Sequence, residues 1–167
     1  MRRIKLEEQP RYEFQYDVVL QPRDINYGGH LGHDGLVTLV HAARANLFRS
    51  LGFSEMDLGD GQTAIITSGL FVNYFGEGFM FDMLRIWSHV GEISRDGFCI
   101  FHRVMKGEKM LALVEEGFFA FTFRDHKIAQ VPQAFVKALD QYLRTRSLIS
   151  LSTRETVMGS EAEAEVL

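Results

Sequence analysis

Hydrophobic and polar positions change period twice along this chain. From Tyr12 to Leu20, the residues Tyr12, Phe14, Tyr16, Val18 and Leu20 alternate with mostly polar partners. That is the period-2 pattern of a strand with one face on a core. After a polar, glycine-rich loop over Gln21–Gly32 the period lengthens. Leu36, Leu39, Val40, Ala43, Leu47 and Leu51 recur at helical spacing, which predicts an amphipathic helix over Asp34–Leu51. Gly52 stands directly after the last apolar position, where a residue free to adopt left-handed backbone ends a helix. His33 and Asp34 are both possible caps at the other end, and Asp is the better type.

The pattern then returns to strands. Ser54–Gln62 is loop, and Thr63–Phe75 (TAIITSGLFVNYF) is β-branched and aromatic. Gly76–Gly78 breaks it. Met80–Ile93 reads as a long strand interrupted by Arg85, Ser88 and His89. Arg95-Asp96-Gly97 is a hairpin turn leading to a strand over Phe98–Met105. Lys106-Gly107-Glu108 turns the chain into a third long strand, Lys109–Phe123, and Arg124–Lys127 is the next turn. Pro132 opens a second helix over Gln133–Arg146, a position where proline is tolerated. The order is strand, long helix, four long antiparallel strands, terminal helix. It predicts an α+β domain with the helix on one face of the sheet, spanning 1–147. Residues 148–167 form a polar tail, expected to be mobile or to serve as a docking segment.

Composition narrows the function. A chain of 167 residues is enough for one sizeable core. Net charge is −4, so no basic footprint points to nucleic acid. No apolar run approaches the ~18 residues of a membrane span. The start, MRRIKLEEQPRYEF, lacks the apolar stretch of a signal peptide, and the cytoplasm is the expected location. The lone Cys99 excludes an intramolecular disulfide and a Cys-cluster zinc site. The 14 phenylalanines, beside only 3 prolines, point to a sheet-rich core or a large apolar interface.

The densest chemistry lies in RDINYGGHLGHDGLVTLVHAARANL, Arg23–Leu47. Polar, Gly-rich chain running into a helix offers unpaired backbone N–H groups and the positive end of the helix dipole. Gly32 and Gly35 leave such amides open to an electron-rich ligand atom; alternatively they only make a tight turn. Asp34, Thr38 and His41 fall four and three residues apart on one helix face, a row of carboxylate, hydroxyl and imidazole able to activate water. Asp34 can equally be a helix cap, and His41 a satisfied core or interface histidine. Asn26 can orient water or close an Asx-type turn, and Asp24 reads as a loop cap. His30 and His33 can polarise a carbonyl or hold water. Their spacing alone is too weak to assign a metal, and no cofactor is expected.

Three segments together resemble the hotdog-fold acyl-CoA thioesterases of the 4-hydroxybenzoyl-CoA thioesterase type. They are NYGGHLGHDGLVTLVHAAR at Asn26–Arg44, EGFMFDMLRIWSHVGEISRDGFCIFHRV at Glu77–Val104, and EEGFFAFTFRDHKIAQVPQAF at Glu115–Phe135. The resemblance covers roughly Tyr12–Leu143, in the right order. It implies a long central helix wrapped by an antiparallel sheet, hydrolysis of a small or medium acyl-CoA to carboxylate and CoA, and a homodimer or homotetramer with shared sites. It places Asn26, His30, His33, Asp34 and His41 as catalytic candidates and Gly32 and Gly35 at the thioester oxygen. Ser94 and Arg95, at a hairpin end, become candidates for the coenzyme A phosphates. The chain departs from the family at two places. Asn26 stands where the benzoyl-type enzymes carry Asp, and Ala42 lies where another branch carries a helix carboxylate. Two other readings remain: a hotdog hydratase or dehydratase, from the near-match Asp24-x-Asn26-x-x-x-His30, and a non-catalytic acyl-CoA-binding protein.

Overall fold

The structure, a computed structural model, describes residues 4–146. The predicted tail lies outside them. Strand β1 is Phe14–Val19, helix α1 His33–Ser50 and β2 Thr63–Tyr74. Then come β3 Met83–Val90, β4 Gly97–Lys106, β5 Lys109–Thr122 and the short β6 Lys127–Ile128. A second helix, α2, covers 133–146. A 3-10 turn at Pro22–Asp24 sits in the loop before α1. All pairings are antiparallel, and the sheet runs β1-β3-β4-β5-β2, with β6 added to the end of β5.

The alternation seen in the sequence sorts residues to faces. On β3, Leu84, Ile86, Ser88 and Val90 are buried, while Met83, Arg85, Trp87 and His89 take the other face. Arg85 and His89 therefore do not interrupt the strand. Ser88 does face inward, and it is satisfied there by His102 across the β3–β4 ladder. On α1 the buried stripe is Leu36, Leu39, Val40, Ala43, Leu47 and Phe48, as the helical period required, and Arg44 joins it. The helix starts one residue earlier than the pattern predicts. Gly32 is its N-cap and makes no side-chain cap bond, so neither His33 nor Asp34 is the cap. At the other end Gly52 takes φ +83, a left-handed conformation glycine adopts without strain.

Two apolar clusters fill the space between helices and sheet. One, around Phe14, Phe48, Phe98, Phe118 and Phe135, joins α2 to the sheet. The other, around Leu20, Leu36, Val40, Leu84, Ile86 and Val104, lies under the first half of α1. The phenylalanines thus divide: these five are core, while Phe71, Phe75, Phe79 and Phe81 are exposed at the β2 edge and the β2–β3 loop. No helix among the described residues is long and apolar enough to cross a membrane.

Candidate active site

The loop before α1 is held by its own backbone. Asp24 is buried, and its carboxylate accepts the Gln21 N–H at 2.8 Å. Asp24 is thus a loop cap rather than a partner for the histidines. Its carbonyl accepts the Gly32 N–H at 3.0 Å, and Ile25 and Leu31 form a bridge that closes the loop on itself. The Leu31 N–H reaches across to the Gly78 carbonyl at 2.8 Å. This bond ties the start of α1 to the β2–β3 loop.

Where the two loops meet lies a cavity of about 310 Å³. Leu31, Leu36, Leu111 and Ala112 give it apolar walls, and Asn26, His30, His33, Tyr74 and Glu77 give it polar groups. Asn26, His30 and His33, singled out in the sequence, therefore converge. The Asn26 Oδ1 accepts the Gly28 N–H at 2.8 Å, which turns the amide nitrogen toward His30 Nε2 at 3.2 Å. The other ring nitrogen, Nδ1, faces the Glu77 carboxylate at 3.8 Å.

The helix start opens beside this cavity. The first intrahelical bond is from the Leu36 N–H to the Gly32 carbonyl, so the amides of His33, Asp34 and Gly35 have no partner among the described residues. Gly32 itself is not a donor to a ligand, because its N–H is committed to Asp24. Its backbone, at φ −70 and ψ 157, is open to any residue, so the tight-turn explanation fails there as well. Gly35 is required by contact instead: a Cβ on it would lie 2.6 Å from the Asp24 carbonyl oxygen.

The predicted Asp34–Thr38–His41 row does not reach the cavity. Asp34 and Thr38 are exposed on the helix, with Thr38 Oγ1 donating to the Asp34 carbonyl. His41 is exposed and pairs with Glu55 at 3.2 Å. Helical spacing places these three on one face, but the face is the one turned away from the sheet. Ser94 and Arg95 also lie far off. The Ser94 hydroxyl and the Gly97 N–H and carbonyl close the hairpin, and the Arg95 carbonyl accepts the Val131 N–H. They sit past the Val90 end of β3, whereas the cavity is near its Met83 end. At ~3.3 Å per residue, that strand separates them by roughly 23 Å within one chain.

A second constellation was absent from the sequence reading. Arg44, on the inner face of α1, donates to Glu55 at 2.6 Å and to Glu116 on β5 at 2.5 Å. Glu116 also accepts from His102 Nε2 at 3.1 Å, and His102 Nδ1 faces the Ser88 hydroxyl at 2.8 Å. Burial holds the His102 imidazole below the ordinary histidine value, outweighing the Glu116 hydrogen bond. It is therefore neutral with its hydrogen on Nε2, and Ser88 donates to Nδ1. Burial alone would raise the Glu116 pKa, but the His102 bond and the neighbouring charges hold it below the ordinary glutamate value. The period-2 pattern carried this signal: Glu116 falls in the inward register with Val114 and Phe118. Among the described residues no group of His, Cys, Asp and Glu is arranged to hold a metal ion.

The chain matches the model of a thioesterase-like superfamily over residues 20–139. No curated protein sequence matches it. Its fold is similar to that of a 1,4-dihydroxy-2-naphthoyl-CoA thioesterase from Synechocystis, with a TM-score of 0.68 and 19% identity. That alignment covers 75% of this chain and 93% of the other. A DHNA-CoA thioesterase from Staphylococcus aureus aligns with a TM-score of 0.69 and 16% identity, covering 83% and 94%. A hypothetical protein from the same organism, solved in complex with CoA, aligns with a TM-score of 0.71 and 11% identity, covering 82% and 89%.

Proposed function

The chain belongs to the thioesterase-like superfamily, and from that premise we propose that it hydrolyses the thioester of a small or medium acyl-CoA. The observation that carries the reading is the start of α1, where three unpartnered amides open beside the cavity shared by Asn26, His30 and His33. Water attack turns the thioester oxygen negative. Fixed N–H donors in a site shielded from water are the strongest means of stabilising that charge. The amides of His33, Asp34 and Gly35 take this role, assisted by the positive end of the helix dipole. Asn26 and His30 fix the polar wall against which the thioester lies. The cavity volume, about 310 Å³, is at the low end of small-molecule sites (~300–1,000 Å³). With its leucine walls it suits a short or mid-length acyl group rather than a long chain.

The full site is shared between two copies of the chain. β2 lies at the edge of the sheet, and Leu70, Phe71, Tyr74 and Phe75 are exposed along it and just past its end. An open apolar edge strand calls for a cover. Two β2 strands paired antiparallel about a two-fold axis set the Thr63 end of one beside the Tyr74 end of the other. The Ser94–Arg95 hairpin belongs to the Thr63 end of the sheet, since Gly97 is opposite Phe119 and Thr63 opposite Thr122. Dimerisation then brings the partner's hairpin toward the cavity, where Arg95 can meet the CoA phosphates. The dimer supplies what one chain keeps roughly 23 Å away.

Thiol release from a panel of acyl-CoAs, short and long, aliphatic and aromatic, tests the reading. Release from at least one is expected. Binding without release of thiol from any member refutes hydrolysis and favours an acyl-CoA-binding protein. Ultraviolet loss of an enoyl-CoA with no thiol release points to hydratase chemistry instead.

A further inference from the structure

We propose that Glu77 is the group that takes the proton of the attacking water, a role that rests on the thioesterase reading above. Of the residues lining the cavity, Glu77 is the one carboxylate. The other nearby acids are occupied or turned away. Asp24 caps Gln21 behind the loop, Asp82 is paired with Lys106, and Asp34 stands on the exposed face of α1.

The contacts of His30 lead to the same assignment. Asn26 is locked by the Gly28 amide, so it presents N–H, not oxygen, to His30 Nε2. A neutral imidazole that accepts on Nε2 carries its hydrogen on Nδ1. That hydrogen is directed toward Glu77 Oε1, 3.8 Å away. His30 has no free lone pair with which to act as a base. It is a positioning residue that turns its Nδ1–H toward the carboxylate and leaves the carboxylate free to take a proton from water.

Glu77 sits on a short Gly-Glu-Gly bridge that is pinned on both sides. The Gly76 N–H donates to the Leu111 carbonyl at 3.2 Å, and the Gly78 carbonyl accepts the Leu31 N–H at 2.8 Å. A Cβ at Gly78 would stand 3.0 Å from Leu20 Cδ1 and 3.3 Å from Leu111 Cδ1, so the bridge is packed down onto the core. The backbone that carries Glu77 is thus fixed at the cavity wall, with its side chain 62% exposed there.

The step balances. The water oxygen forms a bond to the thioester carbon as one of its protons passes to Glu77. The carbonyl electrons move to the oxygen, which the α1 amides stabilise. When they return, the C–S bond breaks with its pair on sulfur, and the proton on Glu77 passes to that sulfur. The products are a carboxylic acid, which ionises to solvent, and the CoA thiol.

The titratable groups around Glu77 are His30 from its own wall, His33 from α1, Tyr74 from β2 and Lys109 from β5, whose Nζ lies 3.4 Å from a Cβ built at Gly76. His33 is the competing base, so both are tested in the full chain against an acyl-CoA that the wild type hydrolyses. Glu77→Gln keeps the size of the side chain but cannot accept a proton. It should lower kcat by about 100-fold or more with KM little changed. It should also abolish the acid limb of the kcat–pH profile, and Glu77→Asp should recover part of the rate. His33→Gln should shift kcat/KM and retain the acid limb. Melting curves establish that each variant is folded. The assignment is overturned if Glu77→Gln stays within a few-fold of wild type, or if His33→Gln removes the acid limb and Glu77→Gln does not. A wild type that hydrolyses no acyl-CoA overturns the thioesterase reading and this role with it; an active Glu77→Gln overturns this role alone.

Discussion

Replacing Arg44 by Met separates two views of the ionic chain inside this domain. The guanidinium side chain is 9% exposed and the Glu116 side chain 4%, so neither charge is relieved by solvent. Arg44 holds Glu116 on one side and Glu55 on the other, and its guanidinium lies 4.9 Å from the Phe118 ring centre. Arg44→Met fills much of the same volume but leaves the Glu116 carboxylate buried with His102 Nε2–H as its remaining partner. Breaking a buried pair from one side costs about 3–5 kcal/mol. For a domain of this size ~1 kcal/mol moves Tm by roughly 2–4 °C, so Tm should fall by roughly 6–20 °C. The double variant Arg44→Met, Glu116→Gln removes the stranded charge and keeps an acceptor for His102. It should recover at least half of the loss, the remainder reflecting the lost contact with Phe118 and Glu55. Equilibrium urea unfolding, followed by circular dichroism and by Trp87 fluorescence, measures both. If Arg44→Met lies within about 1 kcal/mol of wild type, or the double variant is no more stable than the single, the carboxylate is not held by Arg44 and the argument fails.

Acid should act on the same groups. His102 is depressed by burial, so as pH falls below 6.5 the unfolded chain takes up a proton that the folded chain refuses; Glu116, held below 4.5, adds a second loss at lower pH. Stability should therefore fall steadily on acidification, and His102→Gln should flatten the part nearest neutrality in Tm measured against pH. Gly35→Ala drives a Cβ to 2.6 Å from the Asp24 carbonyl and should cost about 1–3 kcal/mol, whereas Gly32→Ala meets the Asp34 carboxylate, which can swing away, and Asn26 Cβ at an ordinary 3.4 Å, and should be close to neutral in the same melts. Wild type should sediment as a dimer or tetramer at micromolar concentration, and Phe71→Glu on the exposed β2 edge should shift it to monomer; a monomeric wild type defeats the shared site.

The fold was legible because its signals are periodic. One change from period 2 to helical spacing located α1 within a residue at each end, and the turns between β3, β4 and β5 follow from Gly and charged residues at the hairpins. Boundaries moved where a local bond overrides pattern. Met80–Ile93 shortened to Met83–Val90 because the Asp82 carboxylate accepts the Phe79 N–H, the Phe81 N–H donates to the Leu20 carbonyl and Phe81 takes φ +71 before the strand begins. Alternation also explains the polar interruptions, since Arg85 and His89 share a face. It sets Ser88 inward with Ile86 and Val90, but it does not name the partner that satisfies the hydroxyl there, His102 on the next strand.

The chemistry was harder to read because it depends on which loops meet. Asn26, His30 and His33 are close in sequence, and proximity sufficed to gather them. Asp34, Thr38 and His41 share one helix face, as their spacing requires, but burial turns the other face to the sheet, and the row does not line this cavity. Glu77 lies in the Gly76–Gly78 break between strands and opens a segment of the family resemblance, but neither pattern marks it as a site residue. Its relevance follows from one backbone bond, Leu31 N–H to the Gly78 carbonyl, which joins the loop before α1 to the loop after β2. No periodicity encodes that bond. It exists because β5, paired with β2 over Ala112–Thr122, carries Leu111 against Gly76 and Gly78 and fixes the β2–β3 loop over the helix start. Asn26 and Ala42 leave both positions where the family resemblance expects a carboxylate without one, and Glu77, in the loop between β2 and β3, is the carboxylate that lines the cavity.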